Sequence, residues 1–274
     1  MALPLYIFTI VFVICPLLYV VALSFATPNR GYGVTWKFTL DNYKNILEPV
    51  YLNTFVESLK LALTSTAAIV LIGYPFGYFM AKLPEHRKKK AHLLLTLPFW
   101  VNSLIRLYGW IIILQKKGLL NFVLMKLGLI KKPLAILYSY PAIVVGMIYV
   151  LLPFMIMSVY SSAEKLDWSY VEAARDLGAS RVQAFFTVTL KLTLPGLLSG
   201  VILTFVPSMG LFFIADILGG NKIVLVGSLI QDQMTRGSNW PFAAALAVVM
   251  MVLTTVMIMI YRKVSNAREL EGIG

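Results

Sequence analysis

Along this chain, long apolar runs with little or no charge alternate with short polar connections, and six runs stand out at residues 3–25, 59–81, 93–114, 141–162, 192–215 and 240–261. Each is close to or above the roughly 20 residues that a helix needs to cross a bilayer. Backbone groups in hydrocarbon must be hydrogen-bonded within their own segment, and no stretch alternates in the manner of a strand. The runs therefore predict six transmembrane helices and an all-α polytopic membrane protein. Pro16 interrupts the first run. The second holds Gly73, Tyr74, Pro75, Phe76 and Gly77, where the proline removes a backbone bond and the glycines permit close packing. Lys60 is the one charge of the second run, and Arg106 lies in the third. Residues 118–130 are apolar but too short to cross, which predicts an interfacial helix on the outer surface.

Composition agrees with a membrane protein and narrows the functional classes. The 274 residues are 59% hydrophobic and 13% charged, with a mean hydropathy of +0.81; a soluble domain carries about 25% charged residues. The net charge of +12 reads as basic loops at a lipid surface rather than a nucleic-acid face. Cys15 is the single cysteine, so neither an intrachain disulfide nor a cysteine metal cluster is available. His86 and His92 flank a basic run and read as loop residues, not as metal ligands. The first run is too long for a signal-peptide core and lacks a basic leader, so it is kept as a span. With both ends inside, twelve Lys and Arg fall on the inner side against ten outside, so charge alone leaves the topology open.

The one sizeable loop of balanced charge, residues 164–191, has the local chemistry of two short capped helices. Ser169 with Glu172 matches a capping box, in which the hydroxyl serves one free amide and the carboxylate another. Ala173 and Ala174 favour helix with almost no bulk, and Gly178 stands where a left-handed residue ends the helix. Ser180 with Gln183 repeats the capping pattern ahead of Phe185 and Phe186. From capping chemistry alone this is equally a well-capped loop or a compact docking knob.

Glu172, Ala173 and Ala174, then three residues and Gly178, resemble the EAA loop of ABC-importer permeases, placed before the penultimate span as in that family. The resemblance implies a type I importer fold over a single permease domain, residues 1–274, with both termini cytoplasmic in a bacterial inner membrane. It also implies that Glu172, Ala173, Ala174, Asp176 and Gly178 couple the chain to an ATPase. Where the family continues with isoleucine, any residue, leucine and proline, this chain has Val188, Thr189, Leu190 and Lys191. The lysine puts the usual break in question, and Pro195 with Gly196 supplies one a turn later. Residues 38–43 (FTLDNY), 97–106 (LPFWVNSLIR), 151–154 (LLPF), 160–166 (YSSAEKL) and 207–210 (PSMG) extend the resemblance over nearly the whole chain, closest to permeases for spermidine and putrescine. The implied partners are an ATP-binding subunit dimer, a second homologous permease, an extracytoplasmic substrate-binding protein and membrane lipid, with no nucleic acid. No cofactor is expected on this chain itself: ATP and Mg belong to the ATPase subunits, and the permease is not an enzyme.

A flexible polycation calls for carboxylates and for aromatic faces that hold both methylenes and ammonium groups. Asp216, after the fifth run, either lines such a path or marks the membrane edge. Trp100, Asn102 and Tyr108 are further pathway candidates, with Tyr43 after the first run a weaker one of the same type; packing or an interface is the plainer alternative. Arg106 would repel a polycation and is assigned a gating or structural role; facing the path unpaired, it would favour an anionic solute. The chain has no GxxxxGK[ST] phosphate loop, so nucleotide hydrolysis is not expected of it. An ion-coupled transporter acting alone lacks mid-span acids, and a membrane enzyme lacks both a metal-ligand cluster and a nucleophile with a base.

Overall fold

The computed structural model describes residues 3–29 and 33–271; Arg30 and the side chains of Arg262 and Arg268, which enter the charge comparison, lie outside the described residues. Helices dominate, with Leu3–Thr9 (α1), Cys15–Ser24 (α2), Asp41–Ile46 (α3), Pro49–Ala81 (α4), Glu85–Thr96 (α5), Ser103–Leu114 (α6) and Leu119–Lys126 (α7) in the first half. Tyr140–Glu164 (α8), Ser169–Asp176 (α9), Arg181–Ala184 (α10), Leu190–Gly210 (α11), Phe212–Gly219 (α12), Val226–Thr235 (α13) and Trp240–Glu271 (α14) follow. A short antiparallel ladder of Thr27–Pro28 (β1) with Val34–Thr35 (β2) lies between α2 and α3 and leaves the all-α class unchanged. At two residues per strand it is too short to show alternation in the sequence.

Six stretches are long and apolar enough to cross a membrane: Pro4–Ser24, Pro49–Ala81, Ser103–Lys126, Tyr140–Glu164, Arg181–Gly210 and Trp240–Tyr261. Around Pro16 the helix is not cut. It relaxes into a π-helical turn, Ile10–Ile14, in which Cys15 N–H reaches back to Ile10 O, which accommodates the missing proline donor and its ring.

Two of the expected runs are divided. Residues 93–114 are not one helix: a 3₁₀ turn over Leu97–Trp100 follows α5, Val101 is extended, and Asn102 caps α6 by accepting Leu104 N–H at 2.8 Å. The run 192–215 ends at Gly210, because Leu211 leaves the helical region (φ −80°, ψ 54°) and α12 starts afresh. Both breaks lie inside apolar sequence, where hydropathy carries no record of backbone direction. In contrast, Pro195 does not break α11, and a π-helical turn at Phe185–Thr189 joins α10 to it without interruption. The segment 118–130 does hold a helix, α7. Its Asn121 is buried, bonded to Gln115 O, Leu134 O and Leu134 N–H, and so pins the following connection.

The described residues form two compact units, one within 3–59 and 224–262 and the other within 60–223 and 263–271. In the first, Phe242, Ala245 and Leu246 of α14 bury Ile46 of α3, and Ala244 packs with Leu23 and Ala26. Asn42 donates to Ser24 O and Ala26 O at 2.9 Å, which fastens α3 to the end of α2. In the second, α8 is central and packs on α11, α12 and α6. Glycines set the spacing: a Cβ at Gly73 would stand 2.6 Å from Met155 Cγ, and one at Gly77 2.7 Å from Ile156 O. The pair is the small-xxx-small pattern that lets membrane helices approach closely. On the other side, Gly196 and Gly200 of α11 meet Ser162 and Met155 equally closely.

Gly77→Val therefore drives a side chain into the α8 backbone, where overpacking costs about 1–3 kcal/mol. Thermal unfolding of the detergent-purified chain should shift down for Gly77→Val and hold level or rise slightly for Gly109→Ala, whose Cβ meets nothing within 4 Å.

Candidate functional site

The loop between α8 and α11 is built by local rules, with one departure from the sequence reading. The box of Ser169 with Glu172 does not form. The chain is already helical at Trp168, and the Asp167 carboxylate accepts Ser169 N–H at 3.0 Å, so the cap sits two residues earlier. Asp167 is the stronger acceptor for exposed amide hydrogens at a helix start. The same bonds to Ser169 hold its carboxyl below the usual carboxylate range. Helix α9 then ends in a Schellman motif: Ala179 N–H bonds Ala174 O at 3.1 Å, Gly178 N–H bonds Arg175 O at 3.0 Å, and Gly178 is left-handed at φ +92°. Ser180 and Gln183 form the expected reciprocal box that starts α10.

Glu172, Ala173, Asp176 and Gly178 are exposed and Ala174 half-buried, which leaves the small-residue face of α9 open. Tyr170 is 59% and Leu177 90% exposed on the same knob. Two large side chains of the knob, Tyr170 and Leu177, thus stand open on a helix that is capped at both ends.

The base of the loop was not legible in the sequence. Tyr78 lies edge-on to Trp168 at 5.8 Å and to Phe185 at 5.7 Å, and Tyr74 edge-on to Phe185 at 6.0 Å. Lys82 closes the group, its Nζ 4.4 Å from the Tyr78 ring centre and 4.6 Å from that of Trp168. Tyr74 Oη also shares a 2.8 Å hydrogen bond with Thr193 Oγ1 of α11. Nearby, Lys88 of α5 bridges Glu85 at 2.8 Å and Glu164 at 3.3 Å, chiefly the Glu85 bond holding its ammonium above the ordinary lysine range. Tyr160 donates to Glu164 as well. The i, i+4 spacing of Tyr74, Tyr78 and Lys82 was the only hint of a shared face.

The pathway candidates fall into separate places. Trp100 ends the 3₁₀ turn and is 78% exposed; Asn102 caps α6; Tyr108 is exposed one and a half turns on. Arg106, half-buried between them, has its guanidinium carbon 5.8 Å from the Phe99 ring centre and 5.4 Å from that of Tyr149, and its Nε has no hydrogen-bond partner among the described residues. Asp216 is half-buried on α12, which packs against α6 and α8. Tyr43 belongs to the other unit, where its hydroxyl meets Ser24 Oγ at 2.6 Å and its ring leans on Phe25. No group of three or more His, Cys, Asp or Glu is placed to hold a metal among the described residues.

Residues 73–269 match the family described as "Binding-protein-dependent transport system inner membrane component". The chain is 43% identical to the spermidine/putrescine transport system permease protein PotB of Escherichia coli (strain K12), over 94% of each chain. It is 41% identical to the protein of that name from Haemophilus influenzae, over 94% of this chain and 90% of the other. Among solved structures, a bacterial alginate ABC transporter in complex with an alginate pentasaccharide-bound periplasmic protein superposes with a TM-score of 0.73 over 97% of this chain and 93% of that one. At 17% identity this likeness concerns the fold alone.

The cap geometry makes a local prediction. Asp167→Ala should speed hydrogen exchange of the first amides of α9 several-fold, whereas Ser169→Ala should leave them nearly unchanged. Because the Asp167 carboxyl is held low, its capping is complete at neutral pH and persists below the ordinary carboxylate range. It is lost only as pH falls through the lowered value, which the exchange profile of wild type against Asp167→Asn would trace.

Proposed function

Because the chain belongs to the family of binding-protein-dependent transport system inner membrane components, we propose that it is the permease subunit through which an ABC importer moves spermidine and putrescine. Identity of 43% along 94% of both chains with a permease for those polyamines carries the substrate class. As a permease component it is not itself catalytic. Hydrolysis of MgATP falls to an ATPase dimer, and a second permease completes the path. A periplasmic binding protein delivers the solute from the outer side. Both termini lie in the cytoplasm, which puts the α8–α11 loop on the ATPase side, and the whole chain acts as one permease domain.

Docking of the loaded binding protein and closure of the ATPase dimer on ATP drive the cycle. The ATPase surface covers Tyr170, Leu177 and the open face of Glu172, Ala173 and Ala174, and moves α9 as one piece. Capping at both ends of α9 and a left-handed Gly178 keep that piece rigid. Helices α8 and α11, which continue from the loop in both directions, rock from an inward- to an outward-facing arrangement, and hydrolysis resets them. For the solute, the exposed face of Trp100 and the aromatic ring of Tyr108 suit methylene spacers and ammonium groups, and Asp216 is the acidic candidate on this chain. With only 12 acids in the sequence, much of the charge recognition rests with the partners.

Proteoliposomes holding the complex, given labelled spermidine with the binding protein outside and ATP inside, should show uptake that needs ATP and that putrescine competes. ATP-driven uptake of an anion, with no spermidine transport, would retain the machine and reject the polyamine. In the same system Gly178→Leu should lower uptake and substrate-stimulated ATP hydrolysis together by about tenfold, since a branched residue at that φ is strained, while the subunits still co-purify. Unchanged coupling in that variant would reject the assignment of the loop.

A further inference from the structure

The loop is joined covalently to α8 and α11, yet its aromatic side chains also rest on a third helix. Trp168, the first helical residue of the knob, and Phe185, which begins the π turn leaving it, both rest on Tyr78. Phe185 touches Tyr74 as well, and Tyr74 reaches Thr193 by a buried hydrogen bond. Lys82, one residue beyond α4, lies over Tyr78 and Trp168 together. Entry and exit of the knob are thus gripped by one face of the last two turns of α4. Pro75 sits inside this helix immediately after Tyr74, and it removes the backbone bond to Leu71 that would otherwise stiffen the gripped turns against the rest of the helix.

We propose that Tyr74, Tyr78, Trp168 and Phe185, closed by Lys82, form a joint that passes movement of the loop into α4, with Pro75, between Tyr74 and Tyr78, as its compliant point. This rests on the reading of the loop as the ATPase contact. The five are positioning residues: none needs to touch solute or nucleotide. Edge-to-face ring pairs resist shear because each ring blocks the sliding of its neighbour, and the shared lysine charge favours the arrangement in which both ring faces converge. When the ATPase displaces α9, Trp168 and Phe185 move with it and the end of α4 follows.

The test uses the whole complex with Lys82→Met, Lys82→Arg, Trp168→Leu and the double variant Lys82→Met/Trp168→Leu. Spermidine taken up per ATP hydrolysed should fall about threefold in Lys82→Met, the scale of an exposed cation–π contact, and further in Trp168→Leu. Lys82→Arg, which keeps a cation able to stack on both rings, should restore it. The double variant should lose less than the two single losses combined, because in Trp168→Leu the lysine has already lost one of its two rings. Hydrogen exchange across residues 168–189 reads the joint without any transport, and it should quicken in Lys82→Met but not in Lys82→Arg. Wild-type uptake per ATP and wild-type exchange in both Lys82→Met and Trp168→Leu would overturn the joint, as would fully additive losses. If the wild-type complex itself shows no ATP-driven uptake, the functional reading fails separately, and the exchange data still decide whether the grip exists.

Discussion

Met155 fixes how closely the helices of the larger unit approach, and most of what that unit can do follows from it. The side chain is fully buried on α8 and occupies the space where Gly73 of α4 and Gly200 of α11 lack a Cβ, at 2.6 Å and 2.5 Å from the positions such atoms would take. One turn further, Ser158 Oγ donates to Gly196 O at 2.8 Å, and Ser162 fills the notch at Gly196. At Gly77 and Gly196, α4 and α11 each reach the backbone of α8, and the Met155 side chain fills the space at Gly73 and Gly200. Packing of this density gives way by discrete shifts rather than by compression. A push on one helix end is delivered to its neighbours, which is what a permease driven from outside its own chain requires.

The same close contact explains which features the sequence disclosed. Gly73 and Gly77 announce a packing face because their spacing is local, and Gly178 and the Ser180–Gln183 box are likewise set by a few adjacent residues. The apolar runs place the spans, since burial in lipid is recorded in composition. Hydropathy is blind to direction, so the breaks at residues 97–102 and at Leu211 stay hidden inside it. Competition between two local caps also escapes a pattern search: Ser169 and Asp167 both qualify, and the ionised acceptor wins. The aromatic joint escapes but for the i, i+4 spacing of Tyr74, Tyr78 and Lys82. It assembles residues 74–82, 168, 185 and 193 from three elements, and only the fold brings them to one face.

Arg106 is the residue that sits least comfortably with a polycationic solute, and its surroundings bear on that discomfort. A bare guanidinium in the path would repel each ammonium group that passes. Here the rings of Phe99 and Tyr149 lie near its planar group, and Phe99 in turn packs edge-on to Phe154 of α8. Arg106 is thereby tied to the 3₁₀ turn that precedes its own helix and to α8, bracing the break at residues 97–102 where backbone bonding lapses. A brace of that kind costs less in a low-dielectric setting when ring faces share the charge. Trp100, the next residue after Phe99, is turned out from that cluster and keeps its apolar face available. Within residues 99–106, then, one cation is faced by aromatic rings and one aromatic ring, that of Trp100, is left open. The Arg106 Nε, without a hydrogen-bond partner among the described residues, lies beside these rings, and a guanidinium faced by aromatic rings offers an anion less than a bare one would.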